Sequence, residues 1–220
     1  MDIAVIGTGN VGSALGSSFA KAGHRVTFAA RDAAKAREVA VNLGAASAST
    51  PAEAAAAAAD VIVLAVPYGE LAAVAEAIAP AAAGKVVIDA SNPLRADYSG
   101  LATVGTSAAE ELAAVLPGAS VVKAFNTLFA ANQADPTAQG ATLDALYATD
   151  DEAAADTVAT LAGSIGFRPV RVGPLAAARE LESLAWLNIR LQLLNGGAWQ
   201  TAYVLVSPPE AAVASVPVAA

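Results

Sequence analysis

The sequence predicts an α/β fold in which helices cover both faces of a mainly parallel sheet. Short apolar runs alternate with helical segments along most of the 220 residues, and such alternation requires crossover connections between parallel strands. A glycine-rich segment, Gly7 to Gly12, lies between the first apolar run and the first helix. The predicted fold class is therefore a doubly wound Rossmann-type sheet with a small C-terminal α/β extension.

The individual elements follow from runs of apolar residues and from helix caps. Strands are predicted at 3–6, 25–30, 60–67, 85–89, 120–125, 143–149 and 168–172, with an edge strand at 202–206. Helices are predicted at 11–22, 33–43, 70–79, 108–116, 152–165 and 176–194. Asp32 is placed to cap the second helix. The alanine runs at 54–59 and 81–83 are taken as compositional.

The last helix carries a stripe of leucines spaced three or four residues apart, which is typical of a core or of a subunit interface. Its members are Leu181, Leu184, Leu187, Leu191 and Leu194.

Composition excludes several classes of function. The net charge of −8 argues against a nucleic-acid or anionic-membrane partner. No run of about 20 uncharged apolar residues occurs, so no membrane span is expected. The chain has no cysteine and one histidine, His24, which we expect to be a surface residue, and no metal site is predicted. The N-terminus enters a strand without a basic signal-peptide region, so the expected location is cytoplasmic.

The glycine-rich segment follows a strand and opens a helix, which is the context that a dinucleotide site requires. Gly7 makes the tight turn, Gly9 lets the backbone approach a pyrophosphate, and Gly12 lets the helix pack closely on the strand. The N–H groups at the helix start favour the negative charge of the phosphates. The predicted cofactor contacts here are Gly7, Thr8, Gly9, Asn10, Val11 and Gly12, together with Val66 at the end of a later strand.

The end of the second strand indicates NADP(H) as the dinucleotide. An NAD site places an acidic residue there to bind the ribose hydroxyls, whereas this chain has Arg31, with Lys35 one turn further. A guanidinium binds a 2′-phosphate through charge-assisted hydrogen bonds. Asp32 is the acidic alternative, and we interpret it as the helix cap.

The second substrate is expected at the carboxyl ends of the parallel strands, where ligands of open sheets lie. The predicted pocket residues are Pro67, Tyr68, Ser91, Asn92, Pro93, Asn126 and Thr127. Asp89 is interpreted as a cap of the turn that follows it. Lys123 is either a catalytic acid or, by alternation from Val121, a residue of the opposite sheet face. Such a lining offers little acid–base chemistry, so we expect cofactors to carry the reaction.

Several segments resemble the NADPH-dependent reductases of the deazaflavin coenzyme F-420 (F420) and related dinucleotide-binding reductases. The resemblance runs from Ile3 to about Gly196. It rests on the segments I-A-V-I-G-T-G-N-V-G, A-A-R-D-A-A-K, D-V-I-V-L-A-V-P, D-A-S-N-P-L, V-V-K-A-F-N-T and G-P-L-A-A-A-R-E-L-E-S-L. The last segment is absent from Rossmann domains in general.

The resemblance implies a homodimer that transfers hydride between NADPH and a deazaflavin lying over the nicotinamide. It places Thr8, Arg31 and Lys35 on the 2′-phosphate, with Ala30 where the family usually has serine. The well-known F420 enzymes carry a His-Thr pair near the deazaflavin, where this chain has Asn126 and Thr127. This departure leaves the second substrate open.

The predicted organisation is an NADP-binding Rossmann domain at 1–173, a helix and edge strand at 174–206, and a loose tail at 207–220. The region 174–206 would contribute to the substrate site or the dimer. The predicted function is an oxidoreductase that uses NADP(H) and a small-molecule redox partner, with F420 as the expected co-substrate. The alternatives are a reductase of flavins, metals or other small molecules, and a non-catalytic NADP(H)-binding redox sensor.

Overall fold

A mixed sheet forms the centre of the molecule in the computed structural model, which describes residues 1–48, 50–58, 60–138, 140–207 and 209–210. Within those ranges the main sheet has eight strands in the order β10-β9-β6-β5-β4-β1-β2-β3. Neighbouring strands are parallel except β6 and β9. The strands are β1 (Asp2–Ile6), β2 (Arg25–Ala29), β3 (Ala46–Ser47), β4 (Val61–Leu64), β5 (Val86–Asp89), β6 (Ser120–Ala124), β7 (Thr137–Ala138), β8 (Ala141–Thr142), β9 (Asp144–Ala148) and β10 (Arg168–Gly173), of which β7 and β8 form a separate hairpin. The predicted fold class is confirmed.

Helices cover both faces of this sheet. They are α1 (Asn10–Lys21), α2 (Ala33–Leu43), α3 (Pro51–Ala57), α4 (Tyr68–Ala82), α5 (Ala108–Val115), α6 (Ala130–Ala134), α7 (Glu152–Ser164) and α8 (Ala178–Asn195), the last preceded by a 3₁₀ turn at Leu175–Ala177. Side chains cap several of them, as Asp32 does by accepting the Ala34 N–H at 2.9 Å. The predicted role of Asp32 as a cap is confirmed. Among these helices none is long and apolar enough to cross a membrane.

Alternating strand residues divide the core into two clusters, one on each face of the sheet. Val5 and Val63 point to the face covered by α1, α2 and α7, whereas Ile6 and Leu64 point to the face covered by α3, α4 and α5. All four side chains are buried. Strands buried on both faces are expected of a parallel sheet between helical layers.

The prediction of an edge strand at 202–206 is wrong, because the chain there is irregular. Side chains rather than a strand ladder hold this backbone. Asp144 accepts the Leu205 N–H at 2.6 Å, and Arg168 donates to the Leu205 carbonyl at 2.6 Å. Most of the predicted tail, namely 208 and 211–220, lies outside the described residues.

The alanine run at 54–59, which the sequence analysis interprets as compositional, overlaps the C-terminal part of α3, while Ala59 itself lies outside the described residues. A capping box begins this helix: Thr50 accepts the Glu53 N–H, and the Glu53 carboxylate accepts the Thr50 N–H. That reciprocal pair satisfies two N–H groups that would otherwise lack partners. The Thr-x-x-Glu spacing of Thr50 and Glu53 is the sequence pattern that indicates the start of such a helix.

Candidate functional site

The turn between β1 and α1 allows side chains at neither its first nor its last glycine. Gly7 has a φ of +113°, and a Cβ there would lie 2.2 Å from the Ala65 carbonyl oxygen. A Cβ on Gly12 would lie 2.0 Å from the Gly7 carbonyl oxygen. These two glycines are therefore required by the close approach of β1, α1 and the end of β4.

Gly9 differs, because a Cβ built on it meets no atom within 4 Å among the described residues. Its φ of −74° is accessible to any residue. No atom of the described residues requires a glycine here, so the open space above its backbone is where a ligand would come close. Gly9 also provides no side-chain cap for α1, whose first N–H groups remain available to an anion. This geometry fits a dinucleotide pyrophosphate.

Arg31 and Lys35 lie at the end of β2 and on the first turn of α2, and both are exposed. The Arg31 side chain is 84% exposed and its guanidinium contacts Glu70 of α4 at 2.6 Å. An exposed ion pair of this kind contributes little stability. The guanidinium is therefore able to exchange Glu70 for a phosphate at little cost.

A cavity of about 650 Å³ lies at the carboxyl edge of the sheet, beside the start of α1. Its volume is within the range of pockets that bind small molecules and cofactors. Its lining consists of Asn10, Val11, Ala90, Asn92, Tyr98, Phe125, Asn126, Thr127, Leu128, Phe129, Ala130, Ala131, Ala185, Asn188, Ile189, Leu193, Ala198 and Trp199. No Asp, Glu, Lys, Arg or His is among these described lining residues, so the cavity is uncharged.

Two asparagines join the ends of β5 and β6 at this cavity. The Asn126 amide donates to the Asn92 side-chain oxygen at 2.9 Å and to the Leu181 carbonyl at 3.1 Å. The Asn92 amide in turn donates to the Asn126 carbonyl at 3.0 Å. The Asn126 Oδ1 atom is buried and accepts no hydrogen bond from the described residues. An unpartnered buried acceptor of this kind is costly.

Backbone strain fixes the turn that presents Asn126. Phe125 has a φ of +63°, in the left-handed region that side chains rarely adopt, and it is fully buried. Its ring packs against Phe19 and Phe167, with centroids 6.2 and 6.3 Å away. Such strain persists only where the surroundings impose it, and it concentrates at functional sites.

Below the cavity, Lys123 holds a buried ion cluster together. Its ammonium lies 2.8 Å from Asp89, 2.8 Å from Glu182 and 2.7 Å from the Ser91 carbonyl. Lys123 and Asp89 are wholly buried and Glu182 is 1% exposed. Desolvation raises the pKa of Glu182, and the Lys123 ammonium opposes that shift.

This cluster settles what the sequence left open for two residues. Asp89 accepts the Ser91 N–H at 2.8 Å, which confirms its predicted role as a turn cap. Lys123 is enclosed by its partners and shares its sheet face with Val121 rather than lining the cavity. It is therefore a structural cation of the opposite face.

The structure separates the other predicted pocket residues. Asn92, Asn126 and Thr127 line the cavity, as do Asn10 and Val11, whereas Pro67, Tyr68, Ser91 and Pro93 are outside the lining. Tyr68 donates its hydroxyl to Glu111 of α5 at 2.7 Å. Burial and that carboxylate raise the pKa of Tyr68 to about 12. Val66 is partly buried against the α3–α5 face. Contacts of all these residues with a ligand stay predictions.

Sequence reasoning expected the region 174–206 at the substrate site or the dimer, but it named no individual residue of the far wall of the cavity. Phe129 precedes α6, Asn188 and Ile189 lie on α8, and Trp199 follows α8. These residues are far from the glycine turn in the sequence, and no motif connects them. The sequence signal closest to this wall was the family resemblance of the segment Gly173 to Leu184, which includes the first residues of α8.

Comparison with known proteins gives a family match to "NADP oxidoreductase coenzyme F420-dependent" over residues 2–93. The F420-dependent NADP reductase of Methanothermobacter thermautotrophicus is 35% identical over 213 residues, covering 89% of this chain and 90% of the relative. A crystal structure of a candidate F420-dependent NADP reductase from Arthrobacter sp. FB24 superposes with a TM-score of 0.84 at 32% identity. That match covers 94% of this chain and 100% of the other.

A second kind of relative matches less than half of the chain. The metalloreductase STEAP3 of Rattus norvegicus is 39% identical over 103 residues, which is 46% of this chain. The chain spans only 20% of the length of that relative.

Proposed function

The chain belongs to the family of coenzyme F420-dependent NADP oxidoreductases, and on that premise we propose that it transfers hydride between NADP(H) and F420. The observation that carries the proposal is the position of an uncharged cavity directly beside a glycine turn whose middle residue is open to a phosphate. One ligand would bind along α1 and Arg31, and the second in the cavity. NADPH, when bound, supplies a hydride from C4 of its nicotinamide, and the acceptor takes up that hydride and one proton from water.

The residues of the cavity suit direct hydride transfer. Such a step needs orientation and exclusion of water more than it needs a protein acid or base. Val11 and Ile189 provide apolar surface beside the hydrogen-bonded pair Asn92 and Asn126. Arg31 and Lys35 would hold the 2′-phosphate through charge-assisted hydrogen bonds.

A panel of acceptors tests the proposal. Purified protein is mixed with NADPH or NADH and with F420, riboflavin, FMN or a ferric chelate, and the absorbance of each acceptor is followed. Turnover of F420 with NADPH, much faster than with NADH, is the expected result. Turnover of a flavin or of ferric iron, without turnover of F420, would contradict F420 as the acceptor and identify another one. Tight NADPH binding without any turnover would instead favour a redox sensor and contradict the proposal.

We also propose that the protein is a homodimer, because the outer half of the leucine stripe on α8 is uncovered. Leu181 is buried, whereas Leu187, Leu191 and Leu194 are 49%, 44% and 75% exposed. Contiguous apolar surface of this kind marks an interaction site. A second copy of the chain would cover it. The cytoplasmic location stays a prediction.

Sedimentation equilibrium tests the dimer. Leu191→Glu should produce monomers, while Val41→Glu, on another exposed apolar residue, should leave the mass unchanged. A wild-type monomer at micromolar concentration would contradict the proposal.

A further inference from the structure

The segment after α8 folds back across the cavity and forms a strap, which we define as residues 196–203. Gly196 begins it in the left-handed conformation, with a φ of +58°. At Gly197 a Cβ would lie 2.1 Å from Gln192 Oε1, so a side chain there would displace that glutamine. The strap therefore starts from a reversal that glycines permit.

Carboxamide side chains hold the strap in place. Gln192 accepts the Trp199 N–H at 3.0 Å and donates to the Thr201 hydroxyl at 2.7 Å. Asn188 donates to the Thr201 carbonyl, and Asn132 of α6 donates to the Gln200 carbonyl, each at 3.0 Å. These three carboxamide residues are at most 5% exposed. Hydrogen bonds from buried amides determine where the strap lies.

Trp199 is the residue that this arrangement presents to the cavity. Its φ of +54° is unusual for a tryptophan, and its side chain lines the cavity while remaining 43% exposed. The indole meets Phe129 edge to face, with ring centroids 5.3 Å apart and planes at 80°. The two rings together form an aromatic wall. A large ring kept half exposed contributes little to the core, and backbone strain of this kind concentrates at functional sites.

Resting on the proposed function, we infer that Trp199 is a specificity-determining residue of the acceptor site and that the aromatic wall selects flat, multi-ring hydride acceptors. Aromatic faces stabilise flat conjugated rings by stacking, independently of their polar substituents. An uncharged wall offers no ligand to a ferric chelate and little to a small carbonyl compound. The acceptor class is therefore that of deazaflavins and flavins.

Trp199 belongs to the strap and not to the glycine turn, so its substitution should change acceptor binding without changing NADPH binding. Trp199→Ala should raise the KM of the flat acceptor by about 10-fold or more, since loss of one stacking partner has an effect of that order. Trp199→Phe should stay within about threefold of wild type, because a ring remains. The Kd of NADPH should change in neither variant. Trp186→Ala is the matched control, since the second tryptophan packs against Arg190 outside the cavity lining.

A binding measurement keeps the test independent of turnover. Trp186→Phe leaves Trp199 as the only indole, since the chain has two tryptophans. F420 or riboflavin should quench its emission at saturation, with free N-acetyltryptophanamide correcting for absorbed light, whereas 2′,5′-ADP should not. Turnover with an unchanged acceptor KM in Trp199→Ala, or unquenched emission, would overturn the inference. Absence of turnover with every acceptor, despite quenching by riboflavin, would instead count against the proposed function while supporting the aromatic wall.

Discussion

The two ends of the site differ in how their residues are brought together. The proposed dinucleotide end consists of Gly7 to Gly12 and Arg31, which belong to one βαβ unit, and in it Gly9, Asn10 and Arg31 are exposed. The proposed acceptor end consists of the turns after β5 and β6, of α8 and of the strap, so its residues span more than a hundred positions of the chain. The first end depends on backbone shape and exposed charge, and the second on buried polar contacts.

The buried cation Lys123, which lies behind the acceptor end on the opposite sheet face, should give the largest effect. Lys123→Met removes the one positive charge between Asp89 and Glu182, and we expect a loss of about 3–5 kcal/mol in the free energy of unfolding. Urea denaturation measures it, with exposed Lys21→Met as the control. Equal stability of the two variants would mean that the cluster does not hold the β5, β6 and α8 ends together.

The glycines of the dinucleotide end should respond in two ways. Gly12→Ala forces a Cβ against the Gly7 carbonyl, and we expect it to lower the free energy of unfolding by at least about 1–3 kcal/mol. Gly9→Ala should leave the melting temperature unchanged but weaken NADPH binding by about 10-fold or more, since a phosphate loses backbone N–H contacts. Calorimetric melting and NADPH titration check the pair. If Gly9→Ala bound NADPH with wild-type affinity, the assignment of the pyrophosphate to this turn would be contradicted.

The exposed charge at the same end should control cofactor choice without affecting the acceptor. Arg31→Ala is expected to reduce the preference for NADPH over NADH by about 10- to 100-fold, the worth of one charge-assisted hydrogen bond. Arg37→Ala, a neighbouring exposed position on α2, is the control, and the kcat/KM ratio for the two dinucleotides is the measurement. An unchanged ratio in Arg31→Ala would contradict the assignment of NADP.

The smallest expected effect is the pH dependence that Glu182 gives to stability. Burial raises its pKa above the ordinary 4.5, so the folded protein binds this proton more tightly than the unfolded chain does. The contribution is therefore fully present below that ordinary value and is lost as pH rises through the raised pKa. Relative to Glu182→Gln, wild type should lose stability as pH increases above about 4.5. Parallel curves of unfolding free energy against pH would show that Glu182 ionises as freely as in the unfolded chain.

The difference between local and distant contacts explains which features could be predicted from the sequence. The strand–turn–helix with its three glycines, the cap at Asp32 and the charge at Arg31 depend on neighbours in the sequence, and the structure has the fold and cap that they predict. The apolar run at 202–206 has the pattern of a strand but meets the side chains of Asp144 and Arg168 instead of a strand ladder. Contacts between such distant residues leave no local pattern.

The strap is the clearest case of such a contact. Trp199 is one tryptophan among polar and small neighbours, and its meeting with Phe129 depends on the length of α8 and on the buried amides of Asn188 and Gln192. Glycine-capped helix ends are recognisable in a sequence. The direction that the chain takes after one of them depends on tertiary contacts.

Isotope transfer tests most directly the claim that the two ends bring NADPH and a flat acceptor together in an uncharged cavity. NADPH deuterated at C4 of the nicotinamide, prepared as each epimer separately, is reacted with F420 in ordinary water, and the reduced deazaflavin is examined by mass spectrometry. The account predicts that one epimer passes its deuterium to the acceptor and the other retains it in NADP⁺. Appearance of the transferred label in water, or no reduction of F420 by either epimer, would contradict it.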